Sequence, residues 1–245
     1  MTTLESSPAF FPLYQQIKGL ITQRLEVGEW RPGEAIPSEM DLAQRFQVSQ
    51  GTVRKAIDEL AGEHILIRRQ GKGTFVATHT EMQSSMFRFL RLRRNDGGNE
   101  YPKSTLLDVR RGRASGDVAK ALELRPGDPV IILRRVLEYS GMPTVLDEIS
   151  LPAAQFRGLT KEQYDAFQGS MYAFFEQAFG VRMLRATEQV KAVTADPTTA
   201  EILKVGIGSP LLSVDRVAYT YGDKAVEHRR GICTTRSHYY FNELF

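Results

Sequence analysis

Displaced by 81 residues, the chain falls onto itself: ALELRPGDPVIILRRVLEYSGMPTV (121–145) aligns with ILKVGIGSPLLSVDRVAYTYGDKAV (202–226). Leu122 meets Leu203, Gly127 meets Gly208, Pro129 meets Pro210, Arg135 meets Arg216 and Gly141 meets Gly222. Each copy predicts a helix end, a turn closed by glycine, a long strand, and a hairpin turn into another strand. Two such units can pair their strands around a pseudo-twofold axis into one antiparallel sheet, whereas two copies are too few for a solenoid. Between them, SMYAFFEQAFG (170–180) predicts a helix with Phe174, Phe175 and Ala178 toward the sheet. The expectation is an α+β domain with helices packed against one sheet.

The N-terminal third follows a different period. Leu13, Ile17, Leu20, Ile21 and Leu25 share one helical stripe, and Gly28, Pro32, Gly33 and Pro37 then break the chain. Ser38 stands before EMDLAQRF as an N-cap, with Asp41 three residues on, a capping-box arrangement. This helix is expected to end near Phe46. After the short turn QVS, Ser49 caps QGTVRKAIDEL, whose Val53, Ile57 and Leu60 face a core. Two short helices joined so briefly form a helix-turn-helix. ILIRRQGKGTFVAT predicts strand, turn and strand, with Ile65 and Ile67 alternating, hence a wing. The expected divisions are residues 10–78, a linker over 79–90, and 91–245.

Composition excludes several classes. The 42% hydrophobic and 25% charged residues are those of a folded globular chain. No apolar run is long enough to span a bilayer, so no membrane role is expected. The N-terminus MTTLESSPAFFPLYQQ lacks the charged and apolar regions of a secretory signal. A lone cysteine, Cys233, fits a reducing cytoplasm and rules out an intrachain disulfide framework. The four histidines show no metal-ligand spacing with it, so neither metal nor cofactor is expected. GKG lies outside any GxxxxGK[ST] loop, and GIGSP lacks the third glycine of a dinucleotide fingerprint.

A net charge of +3 is too small to announce a polyanion partner, but its placement is informative. Arg45, Arg54, Lys55, Arg68, Arg69 and Lys72 cluster around one helix and one turn. A helix enters the major groove only with a slim leading face, which Gly51 and Thr52 supply. The free N–H groups from Ser49 to Thr52 favour a phosphate. Gln50 can present its amide to a base edge, adenine by preference, and Arg54 and Lys55 suit phosphate or guanine. On the wing, Arg68, Arg69, Gln70 and Lys72 reach out while Gly71 brings the backbone close. Ser38, Ser49, Gln50, Gly51, Thr52, Arg54, Lys55, Arg68, Arg69, Gln70, Gly71 and Lys72 are the candidate contacts to double-stranded DNA.

Residues 12–78, above all PGEAIPSEMDLAQRFQVSQGTVRKAI…QGKGTFV, resemble the winged helix-turn-helix of the GntR family of bacterial transcription regulators. The remainder, with SMYAFFEQAFGV and the duplicated strands, resembles the effector-binding UTRA domain of the HutC subfamily, which shares the chorismate lyase fold. The resemblance implies a cytoplasmic homodimer that binds a palindromic operator, with a small metabolite releasing it. Two positions depart from the family: Gln50 where Arg is frequent, and Met40 where a polar or basic residue is frequent.

The resemblance also implies an effector site. Arg135, Glu148, Ser170 and Tyr172 match the residues that hold phosphosugars in relatives, but Leu137 replaces a second arginine. One guanidinium with a helix N-terminus suits an organic acid or a single phosphate. Arg216, the repeat mate of Arg135, and Glu227 are further candidates, as are Phe87 and Arg88 of the linker. The rival readings are a lyase-like enzyme and a DNA-binding protein without ligand. Against the enzyme, no paired general acid and base emerges from 80–245.

Overall fold

A computed structural model of the chain describes residues 11–79, 91–98 and 100–242. Phe87, Arg88 and most of the linker expected over 79–90 lie outside the described residues. Two compact units part between Thr78 and His79.

The first unit opens with α1 (Leu13–Glu26), α2 (Glu39–Phe46) and α3 (Gln50–Gly62). Apolar spacing orients them: Ile17, Ile21 and Leu25 of α1 meet Val53, Ile57 and Leu60 of α3 in a core that also takes in Leu42 of α2. Each such buried aliphatic side chain contributes about 1.5–3 kcal/mol. Leu13, predicted on the same stripe, is 47% exposed because it stands at the first helical position. Gln47 ends α2 in the left-handed region, which produces the abrupt turn before α3. The hairpin pairs β1 (Leu66–Arg69) with β2 (Gly73–Val76), and Ala35 bridges to Phe75 on its other side. Burial falls on Ile65 and Leu66 rather than on Ile65 and Ile67. His64 adopts a positive φ of 58°, so the chain is still turning where alternation was predicted to begin.

The second unit contains a six-stranded antiparallel sheet. Its strands are β4 (Lys103–Arg113), β5 (Pro129–Tyr139), β6 (Met142–Pro152), β7 (Arg185–Thr194), β8 (Pro210–Tyr219) and β9 (Ala225–Cys233), in the order β4-β5-β6-β9-β8-β7. That order is the duplication made visible: each copy supplies three consecutive strands, and the two meet where β6 pairs with β9. The repeat reaches further than the sequence alignment. Ser115 and Asp196, 81 apart, N-cap helices Gly116–Ala121 (α4) and Pro197–Leu203 (α7). Glu123 and Lys204 both take left-handed φ, as do Gly127 and Gly208.

Helices cover both faces. On one, α5 (Lys161–Ala166) and α6 (Met171–Phe179) join Phe156 and Met183 over Leu133, Ile149 and Leu151. On the other, α4 and α7 bury Leu122 and Leu203 against Val130, Val136 and Leu146. Phe174 and Phe175 pack inward, but Ala178 is exposed, because α6 is sunk at its N-terminal end and emerges toward Gly180. A two-stranded ribbon, β3 (Leu92–Arg94) with β10 (His238–Tyr240), sets Leu92 and Tyr240 against Leu137, Val145 and Cys233. Among the described residues, no helix is long and apolar enough to cross a membrane.

Candidate functional site

In the first unit, the caps build the surface. Ser38 Oγ accepts the Asp41 N–H at 3.2 Å and donates to Asp41 Oδ2 at 2.6 Å, so its hydroxyl is committed to starting α2. Ser49 Oγ likewise accepts the Thr52 N–H at 3.2 Å and lies 2.8 Å from Thr52 Oγ1. Beyond that cap, Gln50 and Arg54 stand one turn apart on α3 and converge with Arg68 of β1 on a single carboxylate, Glu39. Glu39 Oε2 accepts from Gln50 Nε2 at 3.3 Å and Arg54 Nε at 2.9 Å, and Oε1 accepts from Arg68 Nη2 at 3.0 Å. Partial burial pushes the Glu39 carboxyl up, but the Arg54 hydrogen bond and the nearby guanidinium charges bring it below its ordinary value.

Glu39 was missed at the sequence level because an acid opening a helix reads as a complement to the helix dipole. Exposed ion pairs contribute only about 0–1 kcal/mol, so this one orders side chains of α3 and β1 rather than stabilising the fold. Asp58, 2.7 Å from Arg68, is a second anchor. Lys55 does not join the group; its ammonium sits 3.9 Å from the ring centre of Tyr14 on α1. Arg69 lies 4.5 Å over the Phe75 ring. Gln70, Gly71 and Lys72 form the exposed wing tip, closed by the Lys72 N–H on the Arg69 carbonyl at 2.9 Å. Gly71, at φ 69°, holds a conformation other residues resist.

In the second unit, one sheet face carries three nearly buried arginines: Arg135 on β5, Arg216 on β8 and Arg229 on β9. They floor a cavity of about 300 Å³ whose wall is Tyr164, Phe167 and the start of α6, with Ser170 and Tyr172 at its edge. Ser170 N-caps α6, accepting the Ala173 N–H at 3.1 Å. Tyr172 donates its hydroxyl to Glu227 Oε1 at 2.9 Å, and the Arg229 guanidinium lies 5.4 Å over its ring. Arg229 donates Nε and Nη2 to Glu227 at 3.0 and 2.9 Å and Nη1 to Asp147 at 3.4 Å. Arg216 Nε donates to Glu188 at 2.6 Å. Arg135 Nε donates to Asp147 Oδ2 at 2.8 Å. Burial pushes Asp147 up, yet Arg135 and Arg229 outweigh it and hold the carboxyl below its ordinary range.

Arg135, Arg216, Ser170 and Tyr172 thus meet at one cavity. Glu227 sits behind it, fully buried, as the partner of Tyr172 and Arg229. Glu148 requires a correction. It pairs in register with Arg134 and Arg230, its side chain is 57% exposed, and it lies 3.8 Å from Arg110, on the face away from the cavity. Successive strand residues face opposite ways, so Asp147, opposite Arg135, carries the inward carboxylate. Phe87 and Arg88 lie outside the described residues. Arg229, Asp147 and Glu188 were not foreseen. For Arg229 the signal was alternation along β9, which the run HRR obscures because neighbours on both faces are polar.

Comparison with known proteins agrees with this architecture. Residues 13–76 match the bacterial regulatory proteins of the gntR family, and residues 96–238 match the UTRA domain. YurK, an HTH-type transcriptional regulator of Bacillus subtilis, is 30% identical over 222 residues, covering 88% of each chain. NagR, an HTH-type transcriptional repressor of the same organism, is 27% identical over 90% of each chain. The crystal structure of the ligand-binding domain of a GntR-family regulator from Bordetella bronchiseptica is 46% identical. It covers 64% of this chain and 98% of its own, with a TM-score of 0.61. These relatives are regulators, and the architecture is regulatory rather than enzymatic. The chain belongs to the GntR family of bacterial transcriptional regulators, in its HutC-like branch, with a UTRA domain as its second part.

Proposed function

We infer that this regulator is a repressor. It binds a palindromic operator as a homodimer and lets go when a small anionic metabolite enters the UTRA cavity. The observation that carries the reading is the cavity itself, about 300 Å³, floored by three guanidinium groups and opening beside the capped N-terminus of α6. Such a volume falls at the low end of small-molecule sites, about 300–1,000 Å³.

The DNA half of the reading rests on Gln50, Arg54 and Arg68, gathered at Glu39, with the exposed wing tip beside them in sequence. One winged helix makes few phosphate contacts and binds weakly at cellular salt. Two, spaced about one helical turn apart, read a palindrome. The ligand needs no contact with DNA; it needs only to favour a dimer whose two recognition helices miss that spacing. A coupling of about 1–3 kcal/mol changes affinity by roughly 5–150-fold.

The test is a gel-shift titration on an operator selected from random duplexes. Arg54→Ala is expected to weaken binding by roughly 1–3 kcal/mol, as for the loss of a base contact. Unchanged affinity would remove Arg54 from the interface. A protein that selects no duplex at low salt would end the whole reading.

A further inference from the structure

The first unit ends at Thr78, and residues 79–92 carry the chain from it into β3. Both flanks of that stretch are tied to carboxylates that hold cavity arginines. At the front flank, the His79 N–H donates to both Glu176 oxygens, at 3.3 and 3.1 Å, and the His79 ring lies 5.7 Å from that of Tyr172. The Tyr172 hydroxyl donates to Glu227, and Glu227 holds Arg229. His79 and Glu176 are both buried, so this flank is set into the fold rather than laid over its surface.

At the back flank, β3 pairs with β10 alone among the described residues and stands apart from the six-stranded sheet. So short a two-stranded ribbon has little stability of its own and depends on what it packs against. The Asn95 N–H closes it on the Ser237 carbonyl at 3.0 Å, and the Phe241 N–H on the Arg91 carbonyl at 2.8 Å. Tyr240 ties the ribbon to β7, the far edge of the sheet, where its hydroxyl donates to Glu188 Oε2. The other oxygen, Oε1, accepts Arg216 from the neighbouring strand, Nε at 2.6 Å and Nη2 at 2.5 Å. One carboxylate is thus shared between a cavity arginine and the ribbon.

That sharing makes Glu188 sensitive to the cavity. Arg216 is buried and lines it, so an anion drawn to Arg216 competes with Glu188 for the guanidinium. A largely buried carboxylate that loses its cation is strongly disfavoured, so Glu188 shifts, and the Tyr240 hydroxyl it accepts from shifts with it. Glu227 stands in the same relation to Arg229 and Tyr172.

Resting on the effector reading above, we propose that Tyr240 and His79 relay cavity occupancy to the two flanks of residues 79–92, and through them to the DNA-binding unit. The relay does not depend on which ligand enters. Any group that draws Arg216 or Arg229 from its carboxylate works it.

The test needs no ligand, because each tie can be cut by mutation in the full chain and read as affinity for the operator selected from random duplexes. Affinities are compared at a temperature where circular dichroism shows every variant folded, with the active fraction fixed by stoichiometric titration. Tyr240→Phe, which removes one hydroxyl, should weaken operator binding roughly two- to thirtyfold. His79→Ala should do the same. Tyr139→Phe is the control. Its hydroxyl makes no hydrogen bond among the described residues, its ring lies 4.6 Å from that of His238 on β10, and its loss should leave affinity unchanged. Glu188→Gln perturbs the cavity end of the same tie and should also weaken binding. Its double variant with Tyr240→Phe should be no weaker than the stronger single, as for two residues on one route. Wild-type affinity in both Tyr240→Phe and His79→Ala overturns the relay, and wild-type affinity in one of them overturns that flank. Equal losses in Tyr139→Phe and Tyr240→Phe reduce Tyr240 to a packing residue and overturn its part. Multiplying losses in the double variant overturn the route through Glu188. Wild-type protein that selects no duplex overturns the DNA reading itself, which keeps the two failures apart.

Discussion

Arg135 on β5 and Asp147 on β6 face each other across one register pair, Nε to Oδ2 at 2.8 Å, and both are buried. Asp147 also takes Arg229, so one carboxylate ties together two of the three guanidinium groups under the cavity. Removing either partner of a buried pair leaves a charge without compensation, which costs far more than the pair contributes.

The first prediction concerns acid. The Asp147 carboxyl is depressed in the folded state by Arg135 and Arg229, against the upward push of burial. Its contribution is fully present above the unfolded carboxyl value near 3.9 and is lost as pH falls through the lower folded value. Urea midpoints of the wild type should therefore drop below about pH 4. In Asp147→Asn this part of the drop should vanish, while stability at pH 7 falls by about 3–5 kcal/mol. An equal acid dependence in both proteins would remove Asp147 as its source.

Gly231 makes the second case. It stands opposite Asp147 on β9, and a Cβ there would lie 2.8 Å from Asp147 Oδ1. The bare backbone leaves room for the carboxylate between its arginines. Gly231→Ala should destabilise the UTRA unit by about 1–3 kcal/mol, as overpacking does. It should also weaken any Arg135-dependent ligand. A variant with wild-type urea midpoint and affinity would show that the strand simply shifts to accept the methyl.

On the DNA side, Glu39 is an internal competitor for the cations. Glu39→Gln removes the charge that gathers Gln50, Arg54 and Arg68. Folding stability should change by less than about 1 kcal/mol, because the ion pairs are exposed. Affinity for unrelated duplex should rise, and the ratio of selected-operator to unrelated affinity should fall roughly fivefold, the equivalent of about 1 kcal/mol. Titrations at two salt concentrations measure both; an unchanged ratio would mean Glu39 has no part in ordering the reading side chains.

Cys233 is predicted to be silent. Burial, with a smaller push from the Asp147 charge, raises its thiol to about 12. At pH 8 only about one part in ten thousand is thiolate, the reactive form. Ellman's reagent should react with one thiol per chain in denaturant and with almost none before. Rapid labelling of the native protein would contradict the packing around Leu137 and Val145.

Local rules were enough for much of this protein. The caps Ser38 and Ser49, the α3 stripe of Val53, Ile57 and Leu60, the wing turn at Gly71, and the duplication joining Arg135 to Arg216 were all legible, because each depends on residues near one another or on an internal copy. What sequence could not decide was orientation across the fold. Strand register turned Asp147 inward and Glu148 outward, although the two are adjacent acids. The depth of α6 exposed Ala178, the left-handed His64 delayed β1, and packing sent Lys55 onto Tyr14. The cluster of Arg135, Arg216 and Arg229 draws on three strands, one from the first copy of the repeat and two from the second. Helical spacing is written in the hydrogen bonds of the segment itself, whereas a strand's inward face is set by partners distant in the chain, so only tertiary pairing could select which charged residues meet beneath the cavity.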